Sequence, residues 1–247
     1  MRSIRPSKMI IAATLAALSV PVANLPAENL PEMRPALIGS GPHSFVNLIN
    51  TEELFRKGQR DAWMMFDCIV LGDGIVSPNF PILCSRSVGA EVLYGAVSKA
   101  LRNTRFMPAV YNHHRTIALF SGTAIFVVTN GKPHLRVFAN QDMEELRRRS
   151  DLVAPQPVDE GSGFWGPPTP GHAESLGTRG TVRVRHSVDA RGKTTGVEIL
   201  GELPPGEGFG RAARATILER VYLPAYRNGK PTASTLIYDI GFPPSIL

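Results

Sequence analysis

One stretch of this chain is written twice, and that repetition constrains the fold more than any other feature. Residues 104–126 read TRFMPAVYNHHRTIALFSGTAIF, and residues 221–242 read VYLPAYRNGKPTASTLIYDIGF. Each places an aromatic, one residue and Pro-Ala ahead of a polar turn, then a β-rich run that closes on Phe. At an offset of 116, Phe106 meets Tyr222, Pro108-Ala109 meets Pro224-Ala225, and Phe126 meets Phe242. The same offset brings Leu93, Val97 and Leu101 onto Phe209, Ala213 and Ile217, two sets at helical spacing. Further upstream the offset becomes 118, and Phe66, Val70 and Gly74 meet Val184, Val188 and Gly192. Shared polarity across strand, turn, strand, helix and strand predicts two tandem copies of one β-β-α-β unit. The fold class that follows is α+β, with each module a small antiparallel sheet backed by helices.

Local patterns place the elements. TEELFRKGQ, residues 51–59, predicts a short helix with Thr51 as N-cap. Met64, Phe66, Cys68 and Val70 alternate with Trp63, Met65, Asp67 and Ile69, and Gly72-Asp73-Gly74 turns this strand into a second. A helix follows over 89–104, a third strand over 116–128, and a charged, solvated helix over 141–150 capped near Asn140. In the second half Val182, Val184, His186 and Val188 share one face, and residues 190–193 turn the chain back into a strand over 194–200. A helix carries Phe209, Ala212, Ala213, Thr216 and Ile217, Asn228-Gly229 signals a turn, and the last strand runs from Ala233 to Phe242. The layout expected is a signal peptide over 1–23, an irregular segment over 24–60, a first module over 61–150, a linker over 151–179 and a second module over 180–247. The linker is assigned on its proline and glycine content, with Phe164 and Trp165 able to rest on a domain surface.

The leader settles much of the charge. Arg2, Arg5 and Lys8 precede an uncharged run from Met9 to Ala23, the form of a secretory signal peptide. Those fifteen residues would span only about 22 Å as a helix, short of a hydrocarbon core of roughly 30 Å, and Pro21 breaks the far end. Cleavage can follow Ala17-Leu18-Ser19, Ala23 or Ala27. Loss of the three basic residues takes the formal charge from +6 to +3. With no basic surface interleaved with aromatics, no nucleic-acid partner is expected. The expected location is the periplasm, with no membrane span after cleavage. Cys68 and Cys84 flank the first turn; a ladder centred at Gly72-Asp73-Gly74 sets them opposite about residues 77 and 61, too far apart to bridge. Two buried small hydrophobes are expected instead.

Residues 180–242 are similar to the TonB C-terminal domain over their whole length. The resemblance rests on Gly180 to Val182, the turn Val188-Asp189-Ala190-Arg191-Gly192-Lys193, and the paired Ala212-Ala213. It continues through Tyr222-Leu223-Pro224-Ala225 and Gly229-Lys230-Pro231 to the closing Phe242. The first copy, 61–128, is degenerate: it keeps Phe106-Met107-Pro108-Ala109 but has His113-His114-Arg115 where Gly-x-Pro belongs. In that family the domain captures a short peptide of an outer-membrane transporter by strand addition and transmits force from the proton gradient. The resemblance implies a peptide-binding edge at Ser234, Thr235, Leu236, Ile237, Tyr238 and Asp239, a run that no proline interrupts. The partner implied is a periplasmic segment of an outer-membrane transporter or another envelope protein. The 35 to 40 residues between leader and first module reach roughly 110 Å even as polyproline II, and they are not proline-rich. A soluble periplasmic binding protein is therefore expected, rather than a stretched force-bearing link.

No residue set points to catalysis, a cofactor or a metal. His113 and His114 are adjacent in a predicted turn and cannot easily share an ion. His43, His134 and His172 stand alone in loops, and His186 takes the place of Cys68 as a semi-buried, hydrogen-bonded residue. The run 206–210 lacks the Lys-Ser/Thr of a phosphate loop. Arg147-Arg148-Arg149 is the outer face of a helix. A second reading, from a different class, is an envelope scaffold in which modules pair edge to edge, within a chain or as a homodimer.

Overall fold

The structure, a computed structural model, describes residues 29–79, 82–159, 168–171, 173 and 177–242. The expected signal peptide and its cleavage alternatives lie outside the described residues, as do Phe164, Trp165 and His172. Among the described residues no helix is long and apolar enough to cross a membrane. The architecture is α+β, built from small antiparallel sheets and a few helices.

The chain enters through a two-residue strand, Met33–Arg34 (β1), a 3-10 turn at Val46–Leu48 and a helix over Thr51–Arg56 (α1). Asn50, not Thr51, caps α1, its side chain accepting from the Glu53 N–H at 3.0 Å. Ala62–Val70 (β2) buries Ala62, Met64, Phe66, Cys68 and Val70, the alternation of a half-buried strand. Leu83–Arg86 (β3) pairs with it, and Glu91–Asn103 (α2) buries Leu93, Val97, Ala100 and Leu101. Ala109–Tyr111 (β4) and His114–Thr116 (β5) make a hairpin to which β1 adds. Ala118–Thr129 (β6) and Lys132–Phe138 (β7) complete a sheet of order β3-β2-β6-β7. Then come Met143–Arg148 (α3) and Gln156–Pro157 (β8).

The second half repeats the order. Gly180–Val188 (β9), Thr194–Leu203 (β10), Phe209–Glu219 (α4), Tyr222–Leu223 (β11), Ala225–Arg227 (β12), Lys230–Thr232 (β13) and Ser234–Phe242 (β14) follow one another. The main sheet here has the order β10-β9-β14. In the first half Ala62 of β2 lies opposite Phe126 of β6, and in the second Gly180 of β9 lies opposite Phe242 of β14. Under the offsets of the sequence repeat, these are the same register.

The turns agree as well. Gly74 and Gly192 sit at φ +85° and +82°, and an added Cβ would lie 2.2 Å from the Phe106 carbonyl oxygen and 2.0 Å from that of Tyr222. The aromatic of each repeated stretch therefore presses its backbone onto a turn that only glycine can make. Asn112 and His113 take left-handed conformations, φ 50° and 63°, where the second half has Asn228 and Gly229 at 50° and 71°. His113 takes the left-handed conformation that Gly229 takes in the second half.

Three features depart from the sequence reading. The first is β7, which joins β6 through Asn130-Gly131, both at positive φ, the signature of a tight hairpin. His134 is consequently a strand residue and not a loop residue. The second is α3, which starts later than expected. Asp142, not Asn140, caps it, and Leu146 is buried beneath it. The third is residues 151–159, expected to belong to a linker but packed. Val153 bridges Tyr226, β8 pairs with β11, and Val158 bridges Ala118. The Gln156 side chain accepts from the Ala36 N–H at 2.7 Å and donates to its carbonyl at 2.9 Å, imitating a strand neighbour. Composition failed here because partners elsewhere in the chain satisfy the polar groups, so the prolines cost nothing.

The first hairpin also slips. Val70 bridges Val76 around the expected turn, but Phe66 lies opposite Cys84. Pro78 cannot donate to a ladder, so the regular pairing resumes beyond it in a new register. Both cysteines are free; Cys68 is buried as expected, whereas Cys84 is exposed.

Buried residues form one core around Phe66, Phe106, Phe120 and Phe126 that also takes Leu223 from the second half. Another surrounds Val182, Val184, Phe209 and Phe242. A small cluster of Leu152, Ala154, Ala225 and Leu236 joins the halves. Gly192→Ala is expected to lower stability by about 2–4 kcal/mol, because backbone must move and the left-handed φ is strained. Gly229→Ala, where an added Cβ meets nothing within 4 Å, costs only about 1 kcal/mol. Urea denaturation of the two variants side by side checks the contrast.

Candidate peptide-binding edge

The sheet β10-β9-β14 has a buried central strand and two outer ones. Along β9, Val182, Val184, His186 and Val188 are buried, while Thr181, Arg183 and Arg185 are exposed. The inward face is covered by α4 at one end, and near His186 by Tyr222 and the cluster of Leu152, Ala154 and Ala225. β10 carries irregularities between Thr194 and Gly196 and between Ile199 and Gly201, which bend that edge. β14 is regular throughout its pairing with β9 and, among the described residues, has no second strand beside it.

The six expected edge residues divide by face. Leu236 is buried in the cluster that joins the halves, and Tyr238 packs beside it. The hydroxyl of Ser234 is buried without a partner among the described residues. Thr235, Ile237 and Asp239 lie on the other face, where Thr235 and Asp239 are exposed. The Thr235 hydroxyl meets that of Ser187 across the strands at 2.8 Å. Backbone direction matters more than side chains here. The Ile237 N–H donates at 3.0 Å to Oδ2 of Asp142, on the side away from β9. Antiparallel alternation then turns the N–H groups of Thr235, Asp239 and Gly241 outward as well.

Asp142 was not expected in this place. Its Oδ1 accepts from the N–H groups of Glu144 and Glu145 as the cap of α3, so one carboxylate serves a helix and a sheet edge. Nearby, Arg227 makes paired contacts of 3.0 Å to both carboxylate oxygens of Glu145, and the Asn228 N–H donates to Asp151 at 2.6 Å. The N-terminal half of the expected edge is therefore covered by α3 and the strand-like segment after it. The C-terminal half is not: Asp239 and Gly241 are exposed, and a Cβ at Gly241 would meet nothing within 4 Å. Among the described residues nothing accepts from the outward N–H of either. The signal that could have exposed Asp142 is an Asp two residues before Glu144-Glu145, which marks a helix cap, though not its second duty.

A polar network lies behind the edge. His186, 4% exposed, shares hydrogen bonds with the Tyr238 hydroxyl at 3.1 Å and with Thr194 Oγ1 at 3.0 Å. Its ring stands edge-on to Tyr222 at 4.8 Å. Burial pushes His186 down to about 4, Tyr222 up to about 12, and Tyr238 well above the ordinary tyrosine value. Across the junction Asp67 accepts from Ser121 at 2.6 Å and from Gln141 at 3.1 Å. Burial raises it to about 6 against the lowering effect of those two bonds. Among the described residues no group of three or more His, Cys, Asp or Glu is placed to hold a metal. His113 and His114 stay in their turn, and the His113 ring meets the Leu30 carbonyl at 2.9 Å.

These two groups act on stability in opposite senses. His186 titrates lower in the fold than when unfolded, so its contribution is present above about pH 6.5 and is lost as pH falls through about 4. Asp67 titrates higher in the fold, so its contribution is present below about pH 4 and is lost as pH rises through about 6. Asp67→Asn is accordingly expected to gain about 1–3 kcal/mol over the wild type at pH 7.5 and nothing at pH 4. Urea midpoints at the two pH values decide it; an equal effect at both would mean Asp67 is not desolvated.

A search among curated proteins finds no match to the chain. Residues 167–243, which include β9 to β14, match the protein family described as the Gram-negative bacterial TonB protein C-terminal.

Proposed function

We propose that the protein is a TonB-like component of the Gram-negative envelope that binds an extended peptide segment by strand addition at β14. The observation that carries this reading is a regular strand that, among the described residues, is paired on one flank only, inside the region matched by the TonB C-terminal family. Unpaired outward backbone groups on such an edge supply affinity through main-chain hydrogen bonds, and alternate side-chain positions supply selectivity. The guest is a periplasmic segment of an outer-membrane transporter or another envelope protein, and the chemistry is binding rather than catalysis. Energy transduction is the wider role to which such binding belongs.

The layout is a signal peptide over 1–23, a degenerate first module over 61–150 and a competent second module over 180–247. The shared strand register, the paired turn glycines and the matched left-handed residues support the kinship of the modules. The scaffold alternative is less well supported, because β10 is bent by its irregularities and β14 carries a carboxylate at mid-edge.

Asp239 gives a clean test. Its N–H points outward, so Asp239→Pro removes a donor to the guest while the ladder to β9 keeps its bonds. Photo-crosslinking in living cells from position 241 is expected to yield an adduct in the wild type and in Asp239→Ala. The yield is expected to fall at least about tenfold in Asp239→Pro, the worth of one or two lost hydrogen bonds. Equal adduct in all three would remove strand addition from consideration.

A further inference from the structure

The molecule contains an internal example of an occupied edge. In the first half, β6 stands where β14 stands in the second, and its outer flank is filled by the chain's own β7. β7 runs antiparallel to β6, with Phe138 opposite Thr123 and Arg136 opposite Ile125. At the offset of 116, Thr123 corresponds to Asp239 and Ile125 to Gly241. β7 covers Thr123–Thr129 of β6, and Thr123 and Ile125, the first and third of those positions, correspond to the two that stay exposed on β14. The stop is equally well defined, because Asp142 takes the outward N–H at Ile237, one outward position before Asp239.

We propose that the guest of β14 enters antiparallel, pairing with Asp239 and Gly241 as β7 pairs with Thr123 and Ile125. Asp142 is the stop that holds it short of Ile237. This inference rests on the strand-addition reading and adds an orientation, a register and a gate to it. The occupant is a short extended segment of a partner. Its residue facing Gly241 has open space for a large side chain, and its residue facing Asp239 lies two positions further on. Extending the pairing to Ile237 requires the carboxylate of Asp142 to leave, which α3 resists through its cap, the Arg227–Glu145 pair and the contact of Asn228 with Asp151.

Asp142→Asn separates the gate from the fold. A carboxylate has two acceptor oxygens, whereas an amide has one, so the variant can cap α3 or hold Ile237 but not both. Asn is as good a helix cap as Asp, and Arg227→Gln provides a second, milder loosening should the first variant fold poorly. In the full-length chain, the Ile237 amide is expected to exchange with deuterium about tenfold more slowly than those of Asp239 and Gly241. That protection is expected to be lost in Asp142→Asn and reduced in Arg227→Gln, with the β9 amides unchanged. Photo-reactive residues placed separately at 239 and 241, with the linked guest residues sequenced by mass spectrometry, read the orientation. Antiparallel entry requires the residue caught from 241 to precede the one caught from 239 in the guest, and Asp142→Asn is expected to raise the yield several-fold. The reverse order, unchanged yield, or unchanged exchange at Ile237 overturns the inference while strand addition stands. Links into residues 234–242 of a second copy overturn it in favour of an edge-to-edge dimer. No adduct from either position, in either background, removes both readings.

Discussion

The shared register of opening and closing strands is the constraint on which the molecule depends. β2 with residues 118–126 of β6, and β9 with β14, pair in one direction and one alignment. A one-residue slip would carry every buried side chain of the closing strand to the other face, so each core fixes its own alignment. The alignment is pinned at the far end by the turn glycines, which accept the backbone of Phe106 and Tyr222 at distances no side chain would permit. From this it follows that each closing strand has one committed flank and one available flank. The two halves differ chiefly in what they do with the second.

The junction between the halves sets polar networks beside the apolar cluster of Leu152, Ala154, Ala225 and Leu236. His186, Tyr238 and Thr194 hydrogen-bond behind β14, and Asp67, Ser121 and Gln141 do so on the face of the first sheet. Such groups stabilise only when satisfied, and a buried donor or acceptor left alone costs about 1–3 kcal/mol. Partnered as they are, they specify how the halves meet more than they strengthen the contact. The same junction brings Gln141 and Asp142 to the edge, because the chain leaving β7 must cross from one sheet to the other. Gln141 donates to the Phe66 carbonyl on the first sheet while Asp142 accepts from Ile237 on the second.

How much of this could be read from residues alone follows a physical divide. Elements made by local periodicity were legible: the alternation of Val182, Val184, His186 and Val188, the helix faces of Leu93 and Phe209, and the closing strand to Phe242. The equal registers of β2 with β6 and of β9 with β14 match the equal spacing of polarities along the two stretches. What was not legible depends on contacts distant in sequence. Residues 151–159 look like a connector by composition and become structure only because β11, Ala118 and Ala36 supply partners. β7 was missed although Asn130-Gly131 announces a hairpin, since Lys132 to Phe138 shows weak alternation with Pro133 inside it. Pro133 is tolerated because β7 is an edge strand. The closing strand was legible as a strand, but the bond from Ile237 to Asp142, 95 positions away, left no trace in any local pattern.

The two flanks also differ in how firmly they are held, and the difference fits their roles. β7 is tied to β6 by a two-residue turn, so it competes from an effective concentration that no separate chain can match. A segment so placed is a permanent occupant. Asp142 holds β14 through one side-chain hydrogen bond, worth about 1.5–3 kcal/mol when the acceptor is charged. An incoming strand that already makes main-chain bonds at Asp239 and Gly241 can offset that, whereas a chance contact with one bond cannot. On the proposed reading, a strand that reaches Ile237 must displace a carboxylate already satisfied by three N–H groups, which turns casual strands away. An unguarded edge of this regularity would invite aggregation, and a fully covered one would bind nothing. A half-open strand with a displaceable stop lies between those two failures.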